Sequence, residues 1–288
     1  MASTKECPMR AATIFGRLVV ALAITAAMAT VAMAQEPTHA VMTASDGVQI
    51  HYAELGSGTP VILIHGYTAN AEGKWFKPGI AQALAERHRV IAIDARGHGQ
   101  SEKPHDSMKY GPQMADDVVE LMDHLGIQRA HVHGYSMGGS ILTQVLARHP
   151  ERVMTAIYGG SGPREVDPAW QARVPDDAEA PDDLPRAPRS ENWSGYPGFD
   201  RAALDAVRAY PWAPDDRAID LTAVDIPVLA IVGGYDQPNA RTHRMARELA
   251  DFQLVVLPGE THGSAHFNPR YTEALVEFVR EHDTGSSE

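Results

Sequence analysis

The chain has 288 residues, 44% hydrophobic and 22% charged, which is enough for one large domain with a substantial core. Its 25 basic and 37 acidic residues give a formal net charge of −12. Such a balance disfavours binding to nucleic acid or to anionic lipid, and no basic stripe along the sequence offsets it. Cys7 is the only cysteine, which excludes an internal disulfide.

The first 34 residues have the three-part pattern of a secretory signal peptide. Basic residues precede an apolar run at residues 18–31, and A-M-A at residues 32–34 provides a small-residue cleavage signal. The run is short for a membrane span, so we expect cleavage before Gln35 rather than a retained anchor. Without an arginine pair, the general secretory route and a periplasmic or extracellular location are expected. Cleavage removes a net charge of +2, which leaves −14 on residues 35–288.

From residue 40 onward, short apolar runs alternate with helical patterns. Residues 40–43 and 48–52 flank a Ser-Asp-Gly turn and predict an opening hairpin. The alternation that follows predicts an α/β fold, with a mostly parallel eight-stranded sheet and helices on both faces. The other predicted elements are strands at residues 61–64, 90–94, 129–133, 153–158, 226–232 and 252–257, and helices at residues 80–86, 112–125, 139–147 and 201–209.

Residues 162–220 interrupt this alternation. The segment is rich in proline and contains two Asp-Asp pairs, and its best helical candidate is residues 201–209. Several aromatic residues are clustered in it, which argues against a disordered linker and predicts that the segment packs over the site. We therefore predict one domain, residues 35–288, with an insertion at about 162–220.

The strongest chemical signal is G-Y-S-M-G at residues 134–138, between a predicted strand and a predicted helix. This G-x-S-x-G arrangement is typical of a nucleophile elbow, a turn so tight that both flanking positions need glycine. The turn exposes the Ser136 hydroxyl beside the free N–H groups of the new helix. Ser136 could instead be an ordinary helix N-cap, but the two glycines disfavour that reading.

A serine nucleophile needs a base and a carboxylate, and in hydrolases with this elbow the chain order is serine, acid, histidine. Asp236 follows the predicted strand at residues 226–232, and His262 follows the strand at residues 252–257. Because active sites of open α/β sheets lie at the carboxyl ends of strands, we expect Ser136, Asp236 and His262 to meet there.

Four motifs occur in the order typical of the α/β-hydrolase superfamily, which the chain therefore resembles. The resemblance covers nearly all of the chain after the first forty residues. Besides the elbow, residues 61–67 resemble the family's strand and HG loop, and residues 94–101 resemble its D-x-R-G-x-G-x-S loop. G-E-T-H at residues 259–262 resembles the segment of the catalytic histidine. The resemblance implies an oxyanion hole formed by the backbone N–H groups of Tyr67 and Met137, a lid at the insertion, and no cofactor.

Each site residue has a competitor. In some relatives the acid follows the preceding strand, which would point to Glu165 or Asp167 instead of Asp236. His266 lies four residues beyond His262, but the G-x-x-H spacing favours His262. His65 and His98 are interpreted as structural residues of their loops.

A metal site is the other interpretation of the 14 histidines. His131 and His133 would lie on one face of a strand, as in an H-x-H metal cluster. Tyr135 follows instead of a carboxylate, and no H-E-x-x-H motif occurs, so we predict no metal.

These residues predict a serine hydrolase that cleaves small-molecule carboxylic esters through a Ser-His-Asp triad and an acyl-enzyme. A serine at the elbow disfavours haloalkane dehalogenase and epoxide hydrolase chemistry, for which relatives use aspartate. Lactonase, amidase, carbon–carbon bond hydrolase and cofactor-free haloperoxidase activities stay open. A ligand-binding receptor or a non-catalytic partner of the same fold is the alternative from another class.

Overall fold

The computed structural model describes residues 36–165, 198–211, 219–236 and 240–283, together with Ala169. The predicted signal peptide lies outside the described residues, as does most of the predicted insertion. Among the described residues, no helix has both the length and the apolar character needed to cross a bilayer.

The predicted fold class is confirmed: eight strands form one sheet in the order β1-β2-β4-β3-β5-β6-β7-β8. Strand β2 runs antiparallel to β1, as the predicted hairpin requires, and also to β4, whereas strands β3 to β8 are parallel. The strands are β1 Thr38–Thr43, β2 Gln49–Leu55, β3 Thr59–Ile64, β4 His88–Ile93, β5 Ala130–Tyr135, β6 Val153–Gly159, β7 Val228–Gly233 and β8 Phe252–Leu257.

Six α-helices of the described residues connect these strands or pack on the sheet. Short helical turns add to them, of which Glu72–Phe76 and Ala265–Phe267 matter for the site. The helices are α1 Ile80–Ala85, α2 Gln113–His124, α3 Met137–Arg148, α4 Arg201–Ala209, α5 Ala240–Glu248 and α6 Pro269–Glu281.

Two apolar cores cover the two faces of the sheet, because successive side chains of a strand point to opposite sides. In β3, Ile62 and Ile64 belong to the core under α2 and α3, whereas Val61 and Leu63 belong to the core under α1 and α6. All four are fully buried. Strands buried on both faces read as continuous apolar runs, which is why the central strands could be predicted from the sequence.

The D-x-R-G-x-G-x-S loop after β4 braces the fold. Asp94 accepts hydrogen bonds from Ala71 N at 2.7 Å and Gln100 N at 2.8 Å, and lies 2.9 Å from His51 Nδ1. Arg96 forms a buried pair with Asp117 at 2.6 Å. A buried arginine paired in this way is costly to disrupt, so the loop is held rigidly against α2.

The described part of the insertion contains the predicted helix, α4. Asp200 caps it by accepting a hydrogen bond from Ala203 N at 3.0 Å. The Tyr67 hydroxyl donates to Leu204 O at 3.0 Å. Helix α4 is therefore attached to the loop that follows β3.

Candidate active site

The elbow has the strained backbone that its glycines predict. Ser136 has φ 55° and ψ −112°, one of two non-glycine residues with positive φ among those described. A Cβ on Gly134 would overlap the backbone of Gly138, and one on Gly138 would overlap Ile64 O. Strain of this kind costs about 1–3 kcal/mol and persists only where surrounding structure imposes it. Here Ser136 N donates to Gly159 O at 2.8 Å, which ties the turn to β6.

The structure brings together the three residues predicted for the triad. His262 Nε2 lies 2.8 Å from Ser136 Oγ, and His262 Nδ1 lies 2.8 Å from Asp236 Oδ1. An ionised carboxylate only accepts hydrogen bonds, so Nδ1 carries the hydrogen and Nε2 is left to accept from the serine hydroxyl. This is the arrangement in which a histidine can remove the serine proton.

The acid and the histidine occupy two loops that are hydrogen-bonded to each other. Gly234 N donates to Leu257 O at 2.8 Å, and Tyr235 N donates to Glu260 O at 2.9 Å. The Asp236 side chain is buried, with 3% exposure, whereas the His262 side chain is 48% exposed. The carboxylate is thus held in the protein while the imidazole faces the side from which a substrate would come.

The predicted oxyanion donors lie next to the serine. Met137 is the first residue of α3, where helical N–H groups have no intrahelical partner. A Cβ on Gly66 would lie 3.2 Å from Ser136 Cβ, so the following residue, Tyr67, begins a turn close to the nucleophile. Thr68 has φ 64° and completes this turn, a strained conformation for a β-branched residue.

The competing acids and bases have other partners. Glu165 is paired with Arg247 at 3.0 Å, and Asp167 lies outside the described residues. His266 Nδ1 lies 3.1 Å from Lys74 Nζ instead of near the serine.

The loop histidines are structural, as predicted. His65 accepts a hydrogen bond from Ala95 N at 3.1 Å, and the His98 ring packs on His65 with 5.2 Å between ring centres. Burial lowers the pKa of His65, and it lowers the pKa of His98 to about 3. Both imidazoles are therefore neutral near pH 7.

His131 and His133 share a face of β5 but have protein partners. His131 Nδ1 lies 2.8 Å from Thr155 Oγ1, and the Tyr271 hydroxyl lies 2.8 Å from His133 Nε2. In the described part of the chain, no three His, Cys, Asp or Glu side chains are grouped to hold a metal ion.

Two residues near the triad were missed in the sequence. Tyr135, the variable residue before Ser136, donates its hydroxyl hydrogen to His262 O at 2.7 Å. Lys74 is buried with 8% exposure, and its Nζ lies 3.4 Å from the centre of the Tyr135 ring. In the sequence, the one sign that Lys74 is buried is its position directly before two apolar aromatic residues, Trp75 and Phe76.

Comparison with known proteins supports this fold. The family model for the alpha/beta hydrolase fold matches residues 59–189. A non-heme haloperoxidase of Rhodococcus erythropolis is 29% identical over 277 residues, which cover 83% of this chain and 98% of the relative. A partial match is 38% identical over 111 residues to an acetyltransferase component of the acetoin cleaving system of Cupriavidus necator; it covers 38% of this chain and 29% of that relative.

Solved structures with 23–24% identity share the fold. A meta-cleavage product hydrolase from Pseudomonas fluorescens IP01 is similar with a TM-score of 0.65, covering 84% of this chain and 97% of that one. A thermophilic esterase from Thermogutta terrifontis also has a TM-score of 0.65, covering 87% and 100%. The fold and the family match define the class of this protein as that of the α/β-hydrolases. The chain belongs to the α/β-hydrolase superfamily.

Proposed function

We propose that this protein is a serine hydrolase that cleaves small carboxylic esters through an acyl-enzyme. The observation that carries the proposal is the continuous chain from Ser136 Oγ to His262 to Asp236, with 2.8 Å at each step. The strained backbone at Ser136 also supports a catalytic role, because such strain is concentrated at functional sites.

In the first half of the reaction, His262 Nε2 takes the hydroxyl proton as Ser136 Oγ attacks the ester carbonyl carbon. Asp236 holds the imidazole in the required tautomer and stabilises its charged form. The N–H groups of Tyr67 and Met137 donate to the oxyanion of the tetrahedral intermediate, each worth about 3 kcal/mol in comparable sites. The intermediate collapses, and His262 gives its proton to the leaving alcohol.

In the second half, a water molecule takes the place of the alcohol. His262 removes a proton from the water as its oxygen attacks the acyl carbon, and the same two N–H groups donate to the second oxyanion. Collapse returns the proton to Ser136 Oγ and releases the carboxylic acid. The exposed side of His262 allows both the alcohol and the water to reach Nε2.

Substitution Ser136→Ala tests the proposal. We expect loss of p-nitrophenyl acetate and butyrate hydrolysis by at least about 10³-fold, because the attacking atom is removed. Thermal unfolding should change little, since the side chain makes few packing contacts in the turn. Ser140→Ala, one helical turn further along α3, is the matched control and should keep normal activity. A Ser136→Ala protein with most of its activity would exclude Ser136 as the nucleophile.

The similarity to a haloperoxidase along its whole length favours a second candidate reaction at the same site. The acyl group would pass from Ser136 to hydrogen peroxide instead of water, giving a peracid that oxidises halide. Assay of monochlorodimedone bromination with acetate and peroxide distinguishes the two. Bromination that exceeds ester hydrolysis and is lost in Ser136→Ala would favour this reaction.

We further propose that the protein is exported and that residues 1–34 are removed. The A-M-A signal at residues 32–34 after an apolar run supports this. Intact-mass measurement of the protein from a bacterial host should give Gln35 as the first residue. Full-length chain in the membrane fraction would contradict cleavage and favour an anchor.

A further inference from the structure

Lys74 is a buried cation that the hydrolytic mechanism does not use. It lies in the helical turn Glu72–Phe76 and is 8% exposed. Among the described residues, no carboxylate forms an ion pair with it. Its nearest polar partner is His266 Nδ1 at 3.1 Å, and its Nζ lies over the Tyr135 ring. Burying an ammonium without a paired carboxylate is costly, so the position calls for a functional explanation.

Charged and titratable groups face Lys74 from several elements. They are His266 from the turn Ala265–Phe267, Asp236 from the loop after β7, Tyr135 and His133 from β5, and His65 from the loop after β3. Of these groups, Asp236 is the only carboxyl group. Burial lowers the pKa of Lys74 to about 7, and attraction to Asp236 opposes part of that shift. The amine therefore changes charge near neutral pH.

This amine lies close to the triad histidine. Its Nζ is 3.4 Å from the centre of the Tyr135 ring, and the same ring centre is 5.5 Å from that of His262. The ammonium is therefore no more than about 9 Å from the His262 ring centre. The Tyr135 hydroxyl donates to His262 O, so the ring that contacts the ammonium is also attached to the histidine loop.

A nearby positive charge would stabilise the carboxylate of Asp236. Asp236 Oδ1 faces His262 Nδ1, but its buried Oδ2 has no hydrogen-bond partner among the described residues. A nearby ammonium compensates for such an oxygen without touching it, because Coulomb attraction extends further in a buried site than in water.

We propose that Lys74 is a positioning residue that tunes the triad through space: its ammonium stabilises the Asp236 carboxylate and lowers the proton affinity of His262, and both effects end when the amine loses its proton. The proposal depends on His262 acting as the base of the proposed hydrolase. It adds a second ionisation, outside the proton path, to the pH response of the enzyme.

The sign of the effect follows from the charges. A positive charge within about 9 Å disfavours the imidazolium, so its removal lets His262 keep a proton to higher pH. With an effective dielectric constant of 20 to 40, the change is roughly one half to one and a half pH units. In the plot of kcat/KM against pH, the midpoint of the acid limb should move to higher pH by that amount.

Substitution Lys74→Met tests this with p-nitrophenyl acetate between pH 5 and 9. We expect the midpoint of the acid limb to rise by roughly half a pH unit or more, and the second ionisation near pH 7 to disappear. Lys109→Met is the matched control, because this lysine is 41% exposed and paired with Asp46. Its profile should match that of the unsubstituted protein. Should the methionine variant fold poorly, Lys74→Gln gives the same comparison.

A second measurement separates this proposal from the proposed function. The titration midpoint of the His262 imidazole can be followed by NMR with labelled histidine and assigned by its loss in His262→Gln. It should rise in Lys74→Met even if no ester is turned over, in which case only the proposed function fails. An active Lys74→Met enzyme with an unchanged pH profile and an unchanged His262 midpoint would overturn the role of Lys74.

Discussion

Single residues at the site carry backbone strain that a stable scaffold would not need. Ser136 and Thr68 are the two described non-glycine residues with positive φ. Each belongs to a turn that follows a buried parallel strand, β5 and β3. Strain concentrated at these two turns indicates that the packed sheet holds the nucleophile and the oxyanion loop in place.

Asp236→Asn should lower kcat by about 10³- to 10⁴-fold, because an amide holds His262 in the wrong tautomer and cannot stabilise its charged form. Steady-state kinetics with p-nitrophenyl butyrate would measure this. Glu165→Gln is the matched control: Glu165 is paired with Arg247, and its loss should change kcat by less than about tenfold. The opposite pattern would place the catalytic acid after β6.

Several elements whose apolar residues follow a regular period could be predicted closely, although α6, in which the buried Tyr271, Leu275 and Phe278 also follow a helical period, was not predicted. Helix α4 was predicted at residues 201–209 and is found at Arg201–Ala209, and the strands before Ser136, Asp236 and His262 lie where the apolar runs indicate. The motifs that mark these elements each span a few neighbouring residues, so they can be recognised in a single sequence.

Elements that depend on distant partners were not predicted. Helix α5 contains few apolar residues, and the turn Glu72–Phe76 has no repeat long enough to mark it. The burial of Lys74 results from packing against Tyr135 and His266, which are 61 and 192 positions further along the chain. Periodicity within one segment contains no information about such contacts.

Over the whole molecule, buried neutral histidines should make stability depend on pH. Burial lowers the pKa of five of them below the ordinary value of 6.5, so they are neutral when folded and take up protons when unfolded. Their stabilising effect is complete above about pH 6.5 and is lost as the pH falls towards their folded values. The five are His65, His98, His131, His133 and His266.

We therefore expect the free energy of unfolding to fall between pH 6.5 and 4.5, by about 1.4 kcal/mol per pH unit for each proton taken up. Urea unfolding at three pH values would measure the slope. His131→Gln should reduce it by about one proton, because burial lowers the pKa of His131 to about 4. His243→Gln should not, since His243 is exposed. A flat profile would contradict neutral burial of these histidines.

The hydrogen bond from the Tyr67 hydroxyl to Leu204 O has a consequence for the evolution of this enzyme type. In the proposed mechanism, Tyr67 presents both a backbone donor to the reacting carbonyl and a side-chain donor to helix α4. A substitution that shifts α4 would therefore also shift the proposed oxyanion donor. New specificity is therefore gained most readily by changes that leave the backbone of α4 in place, or by replacing Tyr67 first.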